Sequence, residues 1–92
     1  MKIEATTKGD EIIFIATDNE VESGRMYCSW AASGALIINH TEVHKEFKGT
    51  GVGKDLVSYA VSYARKRNIK IVPLCRFAKA IISRNPEMQN IL

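Results

Sequence analysis

Apolar and polar positions divide the chain into two regimes. Up to Val43 short β-rich runs are separated by turn residues; from about Gly51 onward the apolar residues recur at helical spacing. In the first regime, Ile3 to Thr6 is followed by Lys8-Gly9-Asp10, and the run Glu11 to Thr17 is broken by Asp18-Asn19-Glu20. Clusters of Gly, Asp and Asn between such runs mark hairpin turns, so both runs are expected to be strands. Gly24 to Ala31, with Met26, Tyr27 and Trp30, and Ala35 to Val43 flank Ala32-Ser33-Gly34 and predict a third and a fourth strand. The expectation is a curved antiparallel meander of four strands.

In the second regime, Leu56, Val57, Ala60, Val61 and Ala64 fall on one face of a helix running from about Gly51 to Arg67. Asp55 stands near its positive end and Arg65-Lys66-Arg67 near its negative end, which suits the helix dipole. Asn68 is placed to cap it. Ile69 to Leu74 is too short and too β-branched for another helix, so it reads as a buried strand parallel to its predecessor, reached by a right-handed crossover. A second helix, Phe77 to Arg84, ends before Asn85-Pro86, because a proline disfavours helical geometry in the residue before it. The predicted class is α/β: an antiparallel strand meander, then a βαβ unit, then a short C-terminal helix. No linker or repeat divides residues 1–92, and one domain is expected.

The junction between the regimes carries the chemistry. Val43-His44-Lys45-Glu46-Phe47-Lys48-Gly49-Thr50-Gly51-Val52-Gly53-Lys54 runs from a strand end through alternate glycines into a helix start. Glycines allow close backbone approach, and the first helical turn offers unpaired N–H groups with a partial positive charge. This is an anion cradle, commonly used for phosphate. A nucleoside-triphosphate loop would need Gly at Lys48 and a hydroxyl at Asp55, so it is excluded. The dinucleotide fingerprint would need Gly at Lys54 and an acidic strand end about twenty residues on, and it fails too.

Lys48-Gly49-Thr50-Gly51-Val52-Gly53 resembles the signature Arg/Gln-x-x-Gly-x-Gly/Ala of the GNAT superfamily of acetyl-CoA-dependent N-acetyltransferases, with Lys in the first place. A cation is kept there while the planar guanidinium fork is lost. Downstream, Cys75-Arg76-Phe77-Ala78-Lys79-Ala80-Ile81-Ile82-Ser83-Arg84-Asn85-Pro86 keeps the spacing of the family pattern Asn-x-x-Ala-x-x-aliphatic-Tyr-x-x-x-Gly, with Cys75, Ile82 and Pro86 replacing Asn, Tyr and Gly. His40 to Val43, Pro73 to Cys75 and Pro86-Glu87 are similar to a miniature GNAT-like subfamily. The resemblance implies a minimal GNAT-like fold with acetyl-CoA, or coenzyme A, as its ligand. It assigns the pantetheine arm to the backbone of Thr41, Glu42 and Val43, and the pyrophosphate to Lys48, Gly49, Thr50, Gly51, Val52, Gly53 and Lys54. Full-length members add two further strands that help close the acceptor site. A chain ending at Leu92 is therefore not expected to form a large acceptor pocket within one monomer, which leaves room for a homo-oligomer.

Composition narrows the alternatives. Ninety-two residues, 46% hydrophobic and 25% charged, make one small globular domain. No apolar run approaches the roughly 18 residues of a membrane span and no signal-peptide core follows Met1, so a cytoplasmic protein is expected. Cys28 and Cys75 fit no metal spacing and are expected as free thiols, Cys28 in the core. The net charge of +3, drawn partly from Lys45, Lys48, Lys54 and Arg65-Lys66-Arg67, suits a solvated face or a phosphorylated ligand. Nucleic acid ranks third, since no aromatic-interleaved basic strand accompanies the charge.

Acyl transfer to an amine needs a base for the ammonium and an acid for the leaving thiolate. Ile82 occupies the place of the family's Tyr acid. Tyr59 and Tyr63, on the first helix, suit packing at its margins. Cys75 ends the last strand where the family's Asn lies near the reactive end of the cofactor, so it is a candidate acyl acceptor if a base forms its thiolate. His40 is the candidate base, with Glu42 and His44 on the same strand face by alternation. The alternative is that Cys75 only packs. The sequence thus supports a minimal N-acetyltransferase acting on an unknown amine or protein, through acetyl-Cys75 or directly, against a non-catalytic acyl-CoA-binding or sensing module.

Overall fold

The structure, a computed structural model, describes residues Met1–Leu92 and contains one five-stranded sheet in the order β1-β2-β3-β4-β5. β1 (Lys2–Lys8), β2 (Glu11–Asp18), β3 (Val21–Trp30) and β4 (Leu36–Val43) form the antiparallel meander, and β5 (Ile71–Pro73) joins β4 in parallel. The crossover between them is α1 (Val52–Lys66), and α2 (Arg76–Arg84) follows β5. Two short 3-10 turns, Lys45–Phe47 and Pro86–Ile91, were not expected from the sequence pattern.

The first two hairpin turns are each two residues long, and the third, from Trp30 to Leu36, has five. Lys8 pairs with Glu11 around Gly9-Asp10, and Gly9 supplies a φ of 63°. Asp18 pairs with Val21 around Asn19 (51°) and Glu20 (67°), a mirror-image type I turn that Asn tolerates and Glu adopts at a cost.

The helical stripe Leu56, Val57, Ala60, Val61 and Ala64 is buried as expected. Helix α1 closes at Asn68, whose φ of 56° is left-handed, with the Ile69 N–H bonded to the Ala64 carbonyl at 3.0 Å. This Schellman closure uses Ile69 to finish the helix. The expected strand Ile69 to Leu74 therefore begins only at Ile71, and it ends at Pro73, which has no N–H to donate.

Ala78 and Ile82 of α2, with Met88 and Ile91 of the second 3-10 turn, join α1 and the sheet residues Ile12, Phe14, Ala16, Met26, Cys28, Leu36 and Ile38 in one core. All helices thus lie on one face of the sheet. Phe14 receives the ring edges of Tyr59 and Tyr63 at 5.3 and 5.2 Å, so both tyrosines pack at the core margin. The opposite face, with Ile13, Ile15, Tyr27, Ile37 and Val72, is covered by no element of the chain.

One irregularity positions the site. Tyr27 pairs with His40 and Cys28 with Ile38, so Asn39 is an extra residue on β4, a β-bulge. Leu36 and Ile38 point into the core; after the bulge it is Thr41, paired with fully buried Met26, that points to the helix side. His40, paired with Tyr27, points to the uncovered face.

Candidate functional site

Strands β4 and β5 part at Ile38. The N–H groups of Leu74 and Cys75 both converge on the Ile38 carbonyl at 3.0 Å, and no pairing continues beyond. The His44 N–H is bonded to the Ser23 carbonyl on β3 at 2.9 Å. Strand alternation then turns the N–H and C=O groups of Thr41 and Val43 away from β3 and into the gap. Four main-chain polar groups are thereby available to an extended ligand.

The glycine loop stands at the helix-side mouth of this gap. Gly49 and Gly51 have φ of 80° and 91°, a region that side-chain-bearing residues rarely adopt. A β-carbon at either would meet no atom within 4 Å, so both glycines border open space. Gly51 precedes α1 and no side chain caps the helix. The Asp55 N–H bonds the Gly51 carbonyl at 2.9 Å, leaving the N–H groups of Val52, Gly53 and Lys54 as the helix's unpaired donors. The Thr50 hydroxyl donates to the Phe47 carbonyl and braces the loop.

Gly53 has a different reason to be glycine. A β-carbon there would lie 2.5 Å from Cζ of Phe77, whose ring rests against the start of α1. The sequence reading gave all three glycines to the ligand; the third lines the cavity with the other two and also admits a ring from α2. Phe77 and Phe47 complete a cavity of about 480 Å³ with Thr41, Val43, Lys48 and Lys54 and the loop glycines. Among the expected cofactor residues, Glu42 and Thr50 do not line it. Glu42 projects from the uncovered face, and Thr50 is turned back on its own loop. The signal that could have revealed Phe77 was its place two residues after Cys75, at the first turn of the helix facing the loop.

The structure does not bring Cys75 and His40 together. The Cys75 thiol, half-buried, donates to Thr41 Oγ1 at 3.6 Å. His40 lies on the other side of the sheet, stacked on Tyr27 at 6.0 Å, with Nε2 3.7 Å from Glu42 Oε1. The physical reason is the bulge at Asn39, which exchanges the faces of residues 40 and 41. The expectation that His40, Glu42 and His44 share a face holds: His44 Nε2 is 2.7 Å from Glu22 Oε2 on that same face. Glu22 also accepts Arg25 Nε at 2.9 Å, and this hydrogen bond leads in holding its carboxyl below the usual carboxylate range, with His44 helping and burial opposing. Burial pushes the Cys28 thiol up to about 12, with nearby Cys75 adding a smaller push the same way, so Cys28 stays protonated at neutral pH. No three His, Cys, Asp or Glu side chains converge as metal ligands. No helix is long and apolar enough to cross a membrane.

A family model described as GCN5-related N-acetyl-transferase matches residues 13–91. The chain belongs to this family. No curated protein matches it in sequence. Among solved structures it is similar to a Staphylococcus aureus protein described as GCN5-like, at 27% identity and a TM-score of 0.70, over 96% of this chain and 85% of that one. It is also similar to a Bacillus anthracis protein assigned as a streptothricin acetyltransferase and solved with acetyl coenzyme A. That match has 27% identity and a TM-score of 0.61, covering 72% of this chain but only 38% of the other. A ribosomal-protein-alanine N-acetyltransferase from Brucella melitensis biovar Abortus shares the fold at 20% identity and a TM-score of 0.67, over 92% of this chain and 61% of that one. This GCN5-related chain thus spans well under half the length of the Bacillus protein it matches.

Proposed function

We propose that the protein binds acetyl-CoA and is a minimal N-acetyltransferase whose acceptor amine arrives from the uncovered face of the sheet. The observation that carries this reading is the junction of two features: an unpaired β4 edge and an uncapped helix start bordered by Gly49 and Gly51. The first suits a chain of amides and the second an anion. Lys48 and Lys54 line the same cavity and add positive charge. Bound there, acetyl-CoA supplies an acetyl group already activated as a thioester.

The chain's own contribution is positioning and proton handling. Thr41 and Val43 hold the arm by main-chain bonds, and the loop N–H groups hold the pyrophosphate. On the far side of β4, His40 and Glu42 stand where an amine would enter the gap. Either would accept the proton an ammonium must lose before its nitrogen attacks the acetyl carbon. As the N–C bond formed the C–S bond would break, and with Ile82 in place of an acid the leaving thiolate would take its proton from solvent, to which the nitrogen gives up its second. A second reading is favoured by one contact: Cys75 touches Thr41, which lines the cavity. In it the Cys75 sulfur takes the acetyl group, the carbon–sulfur bond to CoA breaks, and the thiol proton passes to the departing CoA thiolate. His40 has no part in that step.

CoA thiol release, followed with a panel of amines from polyamines to lysine peptides, tests the function. Amine-dependent release that falls at least about tenfold in Glu42→Gln or His40→Ala supports direct transfer. A hydroxylamine-labile acetyl group on Cys75, lost in Cys75→Ala, supports the relay. Tight CoA binding with neither result leaves the acyl-CoA-binding module as the function.

A further inference from the structure

The uncovered face of the sheet is apolar at its centre and charged around its margin. Register places Ile13 opposite Tyr27 and Ile37 opposite both Ser29 and Val72, with Ile15 next along β2. β2 is therefore apolar on both faces, although the chain's helices cover only one. An antiparallel sheet meant for water carries polar residues on its outer face. Around the band stand the cations Lys2, Lys8 and Arg25 and the carboxylates Glu4, Glu11, Glu22 and Glu42, all on the same face by the pairing pattern. Lys2 pairs with Glu4 at 3.4 Å and Arg25 with Glu22 at 2.8 Å. An apolar centre within a polar rim is the anatomy of a protein interface.

The charge count selects the occupant. The chain as a whole carries +3, yet this rim has three cations and four carboxylates, so it does not attract a polyanion or an acidic lipid surface. Because both signs stand around one apolar band, a second copy turned about a two-fold axis can set cation against carboxylate across the rim. The dimensions set an upper bound: four strands of about 25 Å and the three-residue β5, at roughly 4.8 Å spacing, make a footprint of at most about 600 Å². Two such faces bury at most about 1,200 Å², which places the dimer at the weak end of specific interfaces, and facing sheets pack about 10 Å apart at about −30°.

We propose that this face is an isologous dimer interface, with Ile13, Ile15, Tyr27, Ile37 and Val72 of one chain packed against the same band of a second copy. His40 and Glu42 border the band beside the β4–β5 gap, at the β5 edge of the sheet, so in the dimer the amine of the proposed function enters from that edge, with the partner's sheet as a wall of the opening. The dimer forms with or without cofactor.

Sedimentation velocity of the whole chain, from about 5 µM to about 500 µM, is the test, since a minimal interface of this kind dissociates in or near the micromolar range. The expected result is a rise from the 10.3 kDa monomer mass to twice that value. Ile13→Lys and Ile37→Lys, at positions that face away from the core, should each weaken association at least about tenfold by facing a charge into the apolar band. Val72→Lys, at a position already 39% exposed, repeats the test with the least risk to the fold. Leu92→Lys, on the helix side and 54% exposed, should leave association unchanged. Circular dichroism checks that each variant is folded. A chain that stays monomeric at the highest concentration overturns the proposal, as does a dimer that survives the lysine substitutions or one that Leu92→Lys disrupts equally.

Discussion

Gly51→Ala separates the conformational role of a glycine from its role toward a ligand, because Gly9 provides a matched control. Both residues have positive φ, 91° and 63°, and a β-carbon at either meets nothing within 4 Å. Alanine at such a φ costs about 1–2 kcal/mol. Reduced freedom of the unfolded chain returns about 0.4–1 kcal/mol, leaving a net loss near 1 kcal/mol. For a domain of this size that lowers the thermal midpoint by roughly 4–8 °C. The two variants should therefore melt alike. They should differ toward CoA, since Gly51 borders the cavity and Gly9 lies in the β1–β2 turn. A methyl group at 51 stands in the space where a phosphate would approach the loop, forfeiting one charge-assisted hydrogen bond or more, each about 1.5–3 kcal/mol. Calorimetric titration with CoA should show affinity reduced roughly ten- to a hundredfold in Gly51→Ala and unchanged in Gly9→Ala. Equal affinities in the two variants would refute the placement of the anion at this loop, even if both melt as expected.

Three further outcomes follow from local features. Glu20→Gly should raise the thermal midpoint by a few degrees in a melting experiment, because Glu20 holds a φ of 67° that glycine adopts freely; an unchanged or lower midpoint contradicts this. Gly53→Ala gains about 1 kcal/mol of helix propensity but displaces the Phe77 ring, so stability should change little while CoA affinity drops; if Phe77→Ala in that background fails to restore binding, the ring is not the cause. Glu22 has its carboxyl pKa depressed by Arg25 and His44 in the folded chain, so its contribution is present above the ordinary carboxylate range and is lost as pH falls through the folded value. Wild-type melting should accordingly fall more steeply below about pH 4.3 than that of Glu22→Gln, and parallel curves would deny the pairing its role.

The limit of what the sequence could disclose lies at Asn39. Features set by neighbouring residues were legible: the stripe from Leu56 to Ala64 shows its buried face in its spacing, and the helix end at Asn68 in its residue type. The loop was legible for the same reason, since positive φ at Gly49 and Gly51 is a local demand. The exposed band was also present in the run Ile12 to Ile15, which is too continuously apolar for a strand covered on one face only. The contact between Gly53 and Phe77, by contrast, joins two helices and has no local trace. The bulge is the harder case, because a single inserted residue leaves each half of β4 looking like an ordinary strand. Counted without it, residues 36, 38 and 40 share a face and His40 stands beside Cys75. Counted with it, Thr41 takes that place and the imidazole emerges on the opposite side of the sheet. The exchange alters the chemistry available on each side. A hydroxyl can orient a thiol but cannot remove its proton at neutral pH, so activation of Cys75 loses its base. The same displacement puts an imidazole and a carboxylate 3.7 Å apart at the other mouth of the gap, where, in the function proposed above, an incoming ammonium would give up a proton. A shift of one residue in register thus moves the basic groups from the cavity side of the strand to the uncovered face, and of the two routes proposed above it favours direct transfer to an amine over the Cys75 relay.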